Sequence, residues 1–354
     1  MAITTSLDTL RHDINALLAT YYSEQIKHAR LVSPQYANLW QSMCELQSGG
    51  GKRLRPYLTV ALYQALAGTE YAGVLFPAAA QELLHFGLLI HDDIIDRDYL
   101  RYGQKNIAAQ YLAVYSEHAD SQLSEHLALS TALLAGDLAL TGAYHMCTQG
   151  SLTPQQKLQA VQYLDQGVFD VIGGELLDTQ SVISSPEATD SFTIARYKTA
   201  SYSFIAPMCT GAALAGAPDE VIGQLQHLGS VMGLAYQLVD DLLGLFGETA
   251  VTGKPVLSDL IEGKHTWPLQ ETLRRSGSSD RRKIMAVLKT PTSSQSQLEW
   301  VLGRVTITGA RTATEEKIEA YYHQALALIA TLPISPADQI LLSSFVSDAL
   351  HREY

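Results

Sequence analysis

The chain has 354 residues, 47% of them apolar and 17% charged, so it can bury a large core and does not read as disordered. Its formal charge of −12 argues against a general nucleic-acid binder. Cys44, Cys147 and Cys209 make no CxxC pair, the N-terminal stretch lacks a signal-peptide core, and no uncharged apolar run reaches the roughly 20 residues of a membrane span. These features predict a cytoplasmic protein with reduced thiols and no stable membrane insertion. Along the chain, apolar residues recur at three- and four-residue spacing, as at Leu83, Leu84 and Leu88, and again at Val231, Leu234, Leu238 and Leu242. Alternating runs are scarce and Asn-Gly turns are absent, which predicts an all-α fold. Breaks fall at Ser48–Gly51, Gly68–Ala72, Gly150–Pro154, Ser184–Asp190, Gly216–Asp219, Gly247–Pro255, Ser276–Asp280 and Thr290–Ser294. The segments between them run to roughly 20–30 residues, which suits one bundle of long helices, a single domain over 1–354.

Two acidic clusters interrupt these apolar runs. The first is His91-Asp92-Asp93-Ile94-Ile95-Asp96, behind the buried-looking stretch Leu83 to Ile90. On a helix Asp92 and Asp96 share a face about 6 Å apart in rise. Bare carboxylates so placed repel one another, and a hard cation removes that penalty. The bland alternative is a solvated acidic helix end. The second cluster, Tyr236-Gln237-Leu238-Val239-Asp240-Asp241, is weaker alone, since paired aspartates are common. Two clusters on long helices are harder to ascribe to chance, and in a bundle they can face each other across one cavity mouth.

Cations occur in matching places. Gly49-Gly50-Gly51-Lys52-Arg53-Leu54-Arg55-Pro56 is a glycine turn followed by three cations, with Lys52 and Arg55 on one face if the segment is helical. Glycines let backbone amides approach an anion, and arginine offers a planar fork to phosphate oxygens. The stretch does not fit GxxxxGK[ST], because position 46 is Leu and Arg follows Lys52. Lys198, Lys254 and Lys264 are further candidates, each by itself an ordinary surface lysine. His85 lies two turns before Asp92 on nearly the same face, either a satisfied core histidine or a donor to a diphosphate.

In order, the chain carries GGKRLRP at 50–56, LLHFGLLIHDDIID at 83–96, LRYG at 100–103, GD at 136–137, YKTAS at 197–201, YQLVDDLLG at 236–244, GKP at 253–255 and SDLIEGKHTWP at 258–268. Together these resemble the trans-isoprenyl diphosphate synthases, the polyprenyl synthetase family, over about residues 45 to 270. The resemblance implies an isoprenoid synthase bundle around a central apolar cavity, usually a homodimer, and a prenyltransferase that condenses isopentenyl diphosphate with an allylic diphosphate. It implies Mg²⁺, three ions per active site, on Asp92, Asp96 and Asp240, with Asp93 and Asp241 in support. Lys52, Arg55 and His85 match positions that hold isopentenyl diphosphate. Arg101, Lys198, Lys254 and Lys264 match those around the allylic diphosphate. Thr199 and Gln237 match polar groups near the carbon that becomes cationic. The sequence departs from the pattern at Gly244, where a third aspartate is frequent, and at Tyr102, where an arginine is common.

Gly87 and Leu88 lie five and four residues before Asp92, about 7.5 and 6 Å down the helix. In the family a bulky aromatic residue there closes the pocket, so the small Gly87 is expected to leave space for a product of twenty carbons or more. Geranylgeranyl diphosphate is the expected product and a longer chain the alternative. A terpene cyclase would not need the GGKRLRP motif, and a non-catalytic partner subunit would typically have lost an aspartate cluster.

Overall fold

The computed structural model describes residues 3–101, 103–186, 188–247, 257, 260–261, 263–288, 290 and 293–351. These form an all-α protein. Contacts divide the chain into two compact units, Met1–Asp165 with Pro207–Pro218, and Gln166–Ala206 with Asp219–Tyr354.

The first unit opens with α1 (Leu7–Val32) and α2 (Pro34–Ser48). Ser6 caps α1 through the amide of Thr9, and Ser33 caps α2 through that of Tyr36, ahead of a proline whose missing N–H costs nothing there. Then come α3 (Leu54–Ala65) and α4 (Tyr71–Ile95). Helix α4 is apolar on most faces and is accordingly buried. It ends where Arg97 takes a left-handed backbone, φ 57°. The chain then makes a small antiparallel hairpin, β1 (Leu100–Arg101) with β2 (Gln104–Lys105), too short to leave an alternating pattern in the sequence. Helices α5 (Ile107–Tyr115), α6 (Ser121–Cys147) and the start of α7 (Pro154–Ser181) complete the run. Helix α6 turns a stripe of small residues inward, including Ala128, Ala132, Ala135, Gly136 and Ala139, which lets α4 come close.

By length and composition α4 and α6 are both apolar enough to cross a membrane, although neither is an uncharged run, since Glu82 lies in α4 and Glu125 and Asp137 lie in α6. The apolar stretch of α4 is 72% buried inside the protein and that of α6 39%. Burial accounts for most of the apolar stretch of α4 and for the part of α6 that packs on α4 and α5.

In the second unit, the rest of α7 is followed by α8 (Ser191–Ala195) and a ten-residue π-helix, Arg196–Ile205. Helix α9 (Ala206–Leu214) begins there and continues into the first unit. Helix α10 (Asp219–Phe246) supplies much of the core of its unit, with Leu238, Val239, Leu242 and Leu243 packed on Ile318. It lies against the π-helix at two glycines. A β-carbon on Gly229 would meet Ile205, and one on Gly233 would come within 2.2 Å of Ala200 Cβ. Helices α11 (Trp267–Arg275), α12 (Ser278–Leu288), α13 (Gln295–Ile307), α14 (Ala310–Thr331) and α15 (Pro336–Leu350) follow, and α11 to α13 enclose an apolar cluster around Leu269, Ile284 and Val301. The sequence breaks near residues 68, 150, 216, 276 and 290 all separate helices here. The break after Ile95 and the π-helix carry no glycine or proline signal and escape the sequence reading.

Candidate active site

In the first unit the site is built on the last turn of α4. Asp92 and Asp93 occupy that turn and Asp96 caps its end, its N–H bonded to Asp92 O at 2.8 Å. Three carboxylates at the negative end of a helix dipole create a local demand for cations. The protein meets part of it itself, because the turn at Arg97 and the hairpin bring Arg101 back. Arg101 Nε donates to Asp93 Oδ1 at 2.9 Å, and its Nη2 donates to Asp92 Oδ2 at 3.2 Å and also to Asp93. Asp93 is 4% exposed beneath this guanidinium, while Asp92 is 21% exposed. Burial opposes the charge on Arg101, but Asp93 and Asp92 outweigh it and push the guanidinium above its ordinary range. Asp93 therefore serves as an anchor, and Asp92 and Asp96 keep accessible surface.

His85, partly buried two turns earlier, is held well below the usual imidazole range, first by burial and then by Arg55, Arg101 and Arg53, with Asp92 opposing. The fold thus brings Arg55, Arg101, Asp92 and His85 into one electrostatic neighbourhood. Arg55 sits in the first turn of α3. Lys52 is exposed and precedes that helix, so it does not share a helical face with Arg55 as the three-residue spacing predicts. Both still flank a helix N-terminus, where backbone N–H groups and the dipole favour an anion.

In the second unit the π-helix carries Lys198 and Thr199. Gly174 of α7 makes room for it, since a β-carbon there would lie 2.1 Å from Lys198 N. Lys198 Nζ pairs with Glu175 Oε2 at 2.8 Å and Asp178 Oδ2 at 2.7 Å. The sequence reading missed these two carboxylates, although their three-residue spacing just after Gly173-Gly174 was visible. Thr199 Oγ1 donates to Gln237 Oε1, and Gln237 Nε2 donates to Asp241 Oδ1 at 2.8 Å. Asp241 is 5% exposed, and Asp240 beside it is partly exposed. One aspartate orients Gln237 and the other stays accessible. Lys264 is partly buried just after Gly263, whose φ of +73° turns the chain. Lys254 and Tyr102 lie outside the described residues, as do the whole of GKP and residues 258, 259 and 262 of SDLIEGKHTWP.

The sequence expectation for Gly87 is overturned. A β-carbon there would lie 3.1 Å from Gly136 O, 3.1 Å from Leu140 Cγ and 3.2 Å from Ala139 Cβ. Gly87 faces α6 across a tight helix contact and leaves no open space. Leu88 is partly exposed.

Among the described residues no three His, Cys, Asp or Glu side chains are grouped as a protein cage for a metal. Mg²⁺ needs no such cage, because it takes one or two carboxylates and completes its octahedron with phosphate oxygens and water. Asp92 and Asp96, accessible and one turn apart, suit that donor set.

The family model described as Polyprenyl synthetase matches residues 37–305. A geranylgeranyl diphosphate synthase of Sulfolobus acidocaldarius is 30% identical over 271 residues, 75% of this chain and 76% of its own length. A (2E,6E)-farnesyl diphosphate synthase of Mycobacterium tuberculosis is 32% identical over 297 residues, 82% of this chain and 77% of its own. Among solved structures, a geranylgeranyl pyrophosphate synthase from Corynebacterium glutamicum, complexed with isoprenyl diphosphate and magnesium, superposes with a TM-score of 0.92 at 28% identity. That match covers 99% of this chain and 100% of the other.

Proposed function

This chain belongs to the polyprenyl synthetase family and is a trans-prenyltransferase joining isopentenyl diphosphate to an allylic diphosphate; we propose that it works with magnesium and that its main product is geranylgeranyl diphosphate. The observation that carries this reading is the neighbourhood at the end of α4, where accessible carboxylates sit beside Arg55, Arg101 and a His85 kept neutral. Such a site is ready for a metal-bound diphosphate and not for a bare cation or a bare anion.

In the proposed mechanism Lys52, Arg55 and His85 hold the diphosphate of isopentenyl diphosphate. The two cations act with the dipole of α3, and His85 donates an N–H without adding charge. Arg101, Lys198, Lys254 and Lys264 hold the allylic diphosphate. Asp92 and Asp96 in the first unit, and Asp240 in the second, would hold magnesium, three ions in all, which would supply stabilisation of the charge on the departing diphosphate. The allylic C–O bond breaks, and the isopentenyl double bond attacks the resulting cation to form the new C–C bond. A proton then leaves to the released diphosphate, so no side-chain base is needed. Thr199 and Gln237 present their oxygens near the cationic carbon, and the hydrogen bond to Asp241 fixes their orientation. Apolar walls keep water from the cation.

Product length draws its support from the geranylgeranyl synthases of S. acidocaldarius and C. glutamicum, and from an aliphatic, not aromatic, residue at position 88. A homodimer draws support from α6, whose outer face exposes Leu133 at 52% and Leu134 at 58%. Light scattering coupled to size exclusion should give twice the chain mass, and a monomer at micromolar concentration would rule this out.

The reaction is tested with radiolabelled isopentenyl diphosphate and three allylic starters of increasing length, with and without chelator. Labelled twenty-carbon diphosphate, lost on chelation, is expected. Cyclised hydrocarbon formed without isopentenyl diphosphate would point to a cyclase instead. Inactivity of the pure chain would point to a partner subunit, and a dominant product of another length would overturn the chain-length assignment alone.

A further inference from the structure

Arg53 is the cation of the GGKRLRP motif that the mechanism leaves unused. It is 4% exposed, and so is Glu82. Arg53 Nη1 donates to Glu82 Oε1 at 2.6 Å, Nη2 to the carbonyl of Gln47 at 3.1 Å, and Nε to Asn15 Oδ1 at 3.0 Å. One guanidinium thus ties together α4, the C-terminal end of α2 and α1. The Gln47 side chain closes the network, donating to Glu82 O at 3.4 Å and accepting from the Tyr22 hydroxyl.

The backbone around Arg53 needs to be held. Gly51 has φ +106° and Arg53 itself φ +55°, a left-handed conformation that a residue with a β-carbon adopts reluctantly. Arg53 is also the residue from which α3 starts, so its conformation sets where Lys52 and Arg55, on either side, point. At the other end of the ion pair, Glu82 lies one turn before His85 on α4. Arg53 is near enough to His85 to help depress its protonation. The Gly51 turn is moulded on the same group, since a β-carbon there would fall 2.7 Å from Arg53 Nη1.

We propose that the buried Arg53–Glu82 pair is a positioning clamp that sets Lys52 and Arg55 in register with His85, so that all three can grip the diphosphate of isopentenyl diphosphate. The clamp touches no substrate. It converts a strained loop into a fixed half of the binding site by locking it to the helix that carries the other half. The inference rests on the assignment of Lys52, Arg55 and His85 to isopentenyl diphosphate.

The test compares the unaltered chain with Arg53→Met, with Glu82→Gln, and with the double variant Arg53→Met/Glu82→Met. Replacing both partners by apolar groups of similar volume leaves no unpaired buried charge, so the double variant is the one expected to keep its melting temperature. Steady-state kinetics and calorimetric titration with isopentenyl diphosphate are read together. In the double variant, KM and Kd for isopentenyl diphosphate should rise at least tenfold, with the KM of the allylic substrate within twofold. Glu82→Gln, which keeps an acceptor for Arg53, should recover most of the affinity. A folded double variant that binds isopentenyl diphosphate like the unaltered chain would overturn the clamp. If the unaltered chain binds isopentenyl diphosphate without turning it over, the reaction assignment fails, and the comparison of Kd values still decides the clamp. No binding by the unaltered chain would overturn both.

Discussion

Substitution at Gly87 separates the structural reading from the sequence expectation most sharply. Its missing β-carbon would sit 3.1 to 3.2 Å from Gly136 O, Leu140 Cγ and Ala139 Cβ of α6. Relaxed carbon contacts lie at about 3.5–4.0 Å, so α6 would have to retreat by about half an ångström. In Gly87→Ala, overpacking costs about 1–3 kcal/mol. The gain in helix propensity over glycine returns about 1 kcal/mol. The net loss of about 0–2 kcal/mol lowers the melting temperature by at most about 8 °C in a unit of this size. Gly87→Phe drives a ring into the same seam, and we expect a loss above about 3 kcal/mol, read as a large drop in melting temperature or as insolubility. Leu88→Phe, at a partly exposed neighbour, should melt within about 2 °C of the unaltered protein and shorten the product. The assays are thermal unfolding and chromatography of the dephosphorylated products. A soluble Gly87→Phe protein with unchanged melting and a shortened product would refute the reasoning, because its ring would then have to enter the product pocket.

Three further outcomes follow from the geometry. Asp92→Ala/Asp96→Ala should cut kcat at least about a thousandfold while leaving melting nearly unchanged, as expected for accessible groups that stabilise charge in the transition state; full turnover would dismiss the metal assignment. In a double-mutant cycle, Asp178→Asn should raise the allylic KM in the unaltered background yet have little effect beside Lys198→Ala, because the carboxylate acts through that lysine; additive effects would mean that the ion pair is unrelated to substrate. The depressed His85 implies a pH effect on stability. The unfolded chain takes up a proton near its usual pKa of about 6.5, whereas the folded chain resists until lower pH, so stability should fall as pH drops below about 6.5. His85→Phe should flatten the denaturant-midpoint profile between about pH 6.5 and 5, and an unchanged slope would show that His85 titrates normally when folded.

Much of this protein was legible in the residue order. Three- and four-residue apolar spacing reports a helix directly, because side-chain direction on a helix depends only on local backbone geometry. The spacing of Asp92 and Asp96 and the glycine turn before Lys52 were visible because chemistry selects residue types, and types are written in the sequence; Thr199 and Gln237 were marked only by the family resemblance, and their hydrogen bond only by the fold. What stayed hidden was the partner of each side chain. Arg53 and Arg55 look interchangeable in GGKRLRP, yet one is buried against Glu82 and the other retains accessible surface. Asp92 and Asp93 look equivalent until Arg101 folds back and bonds to both, leaving Asp93 buried and Asp92 with accessible surface. The carboxylates that hold Lys198 came from α7 without notice. Gly87 looked like vacant room and proved to be a helix contact. In each case the deciding energy, whether the desolvation of a charge or the collision of a β-carbon, arises between residues distant in the chain. Local sequence determines which groups are available, and only packing determines which of them remain exposed to solvent.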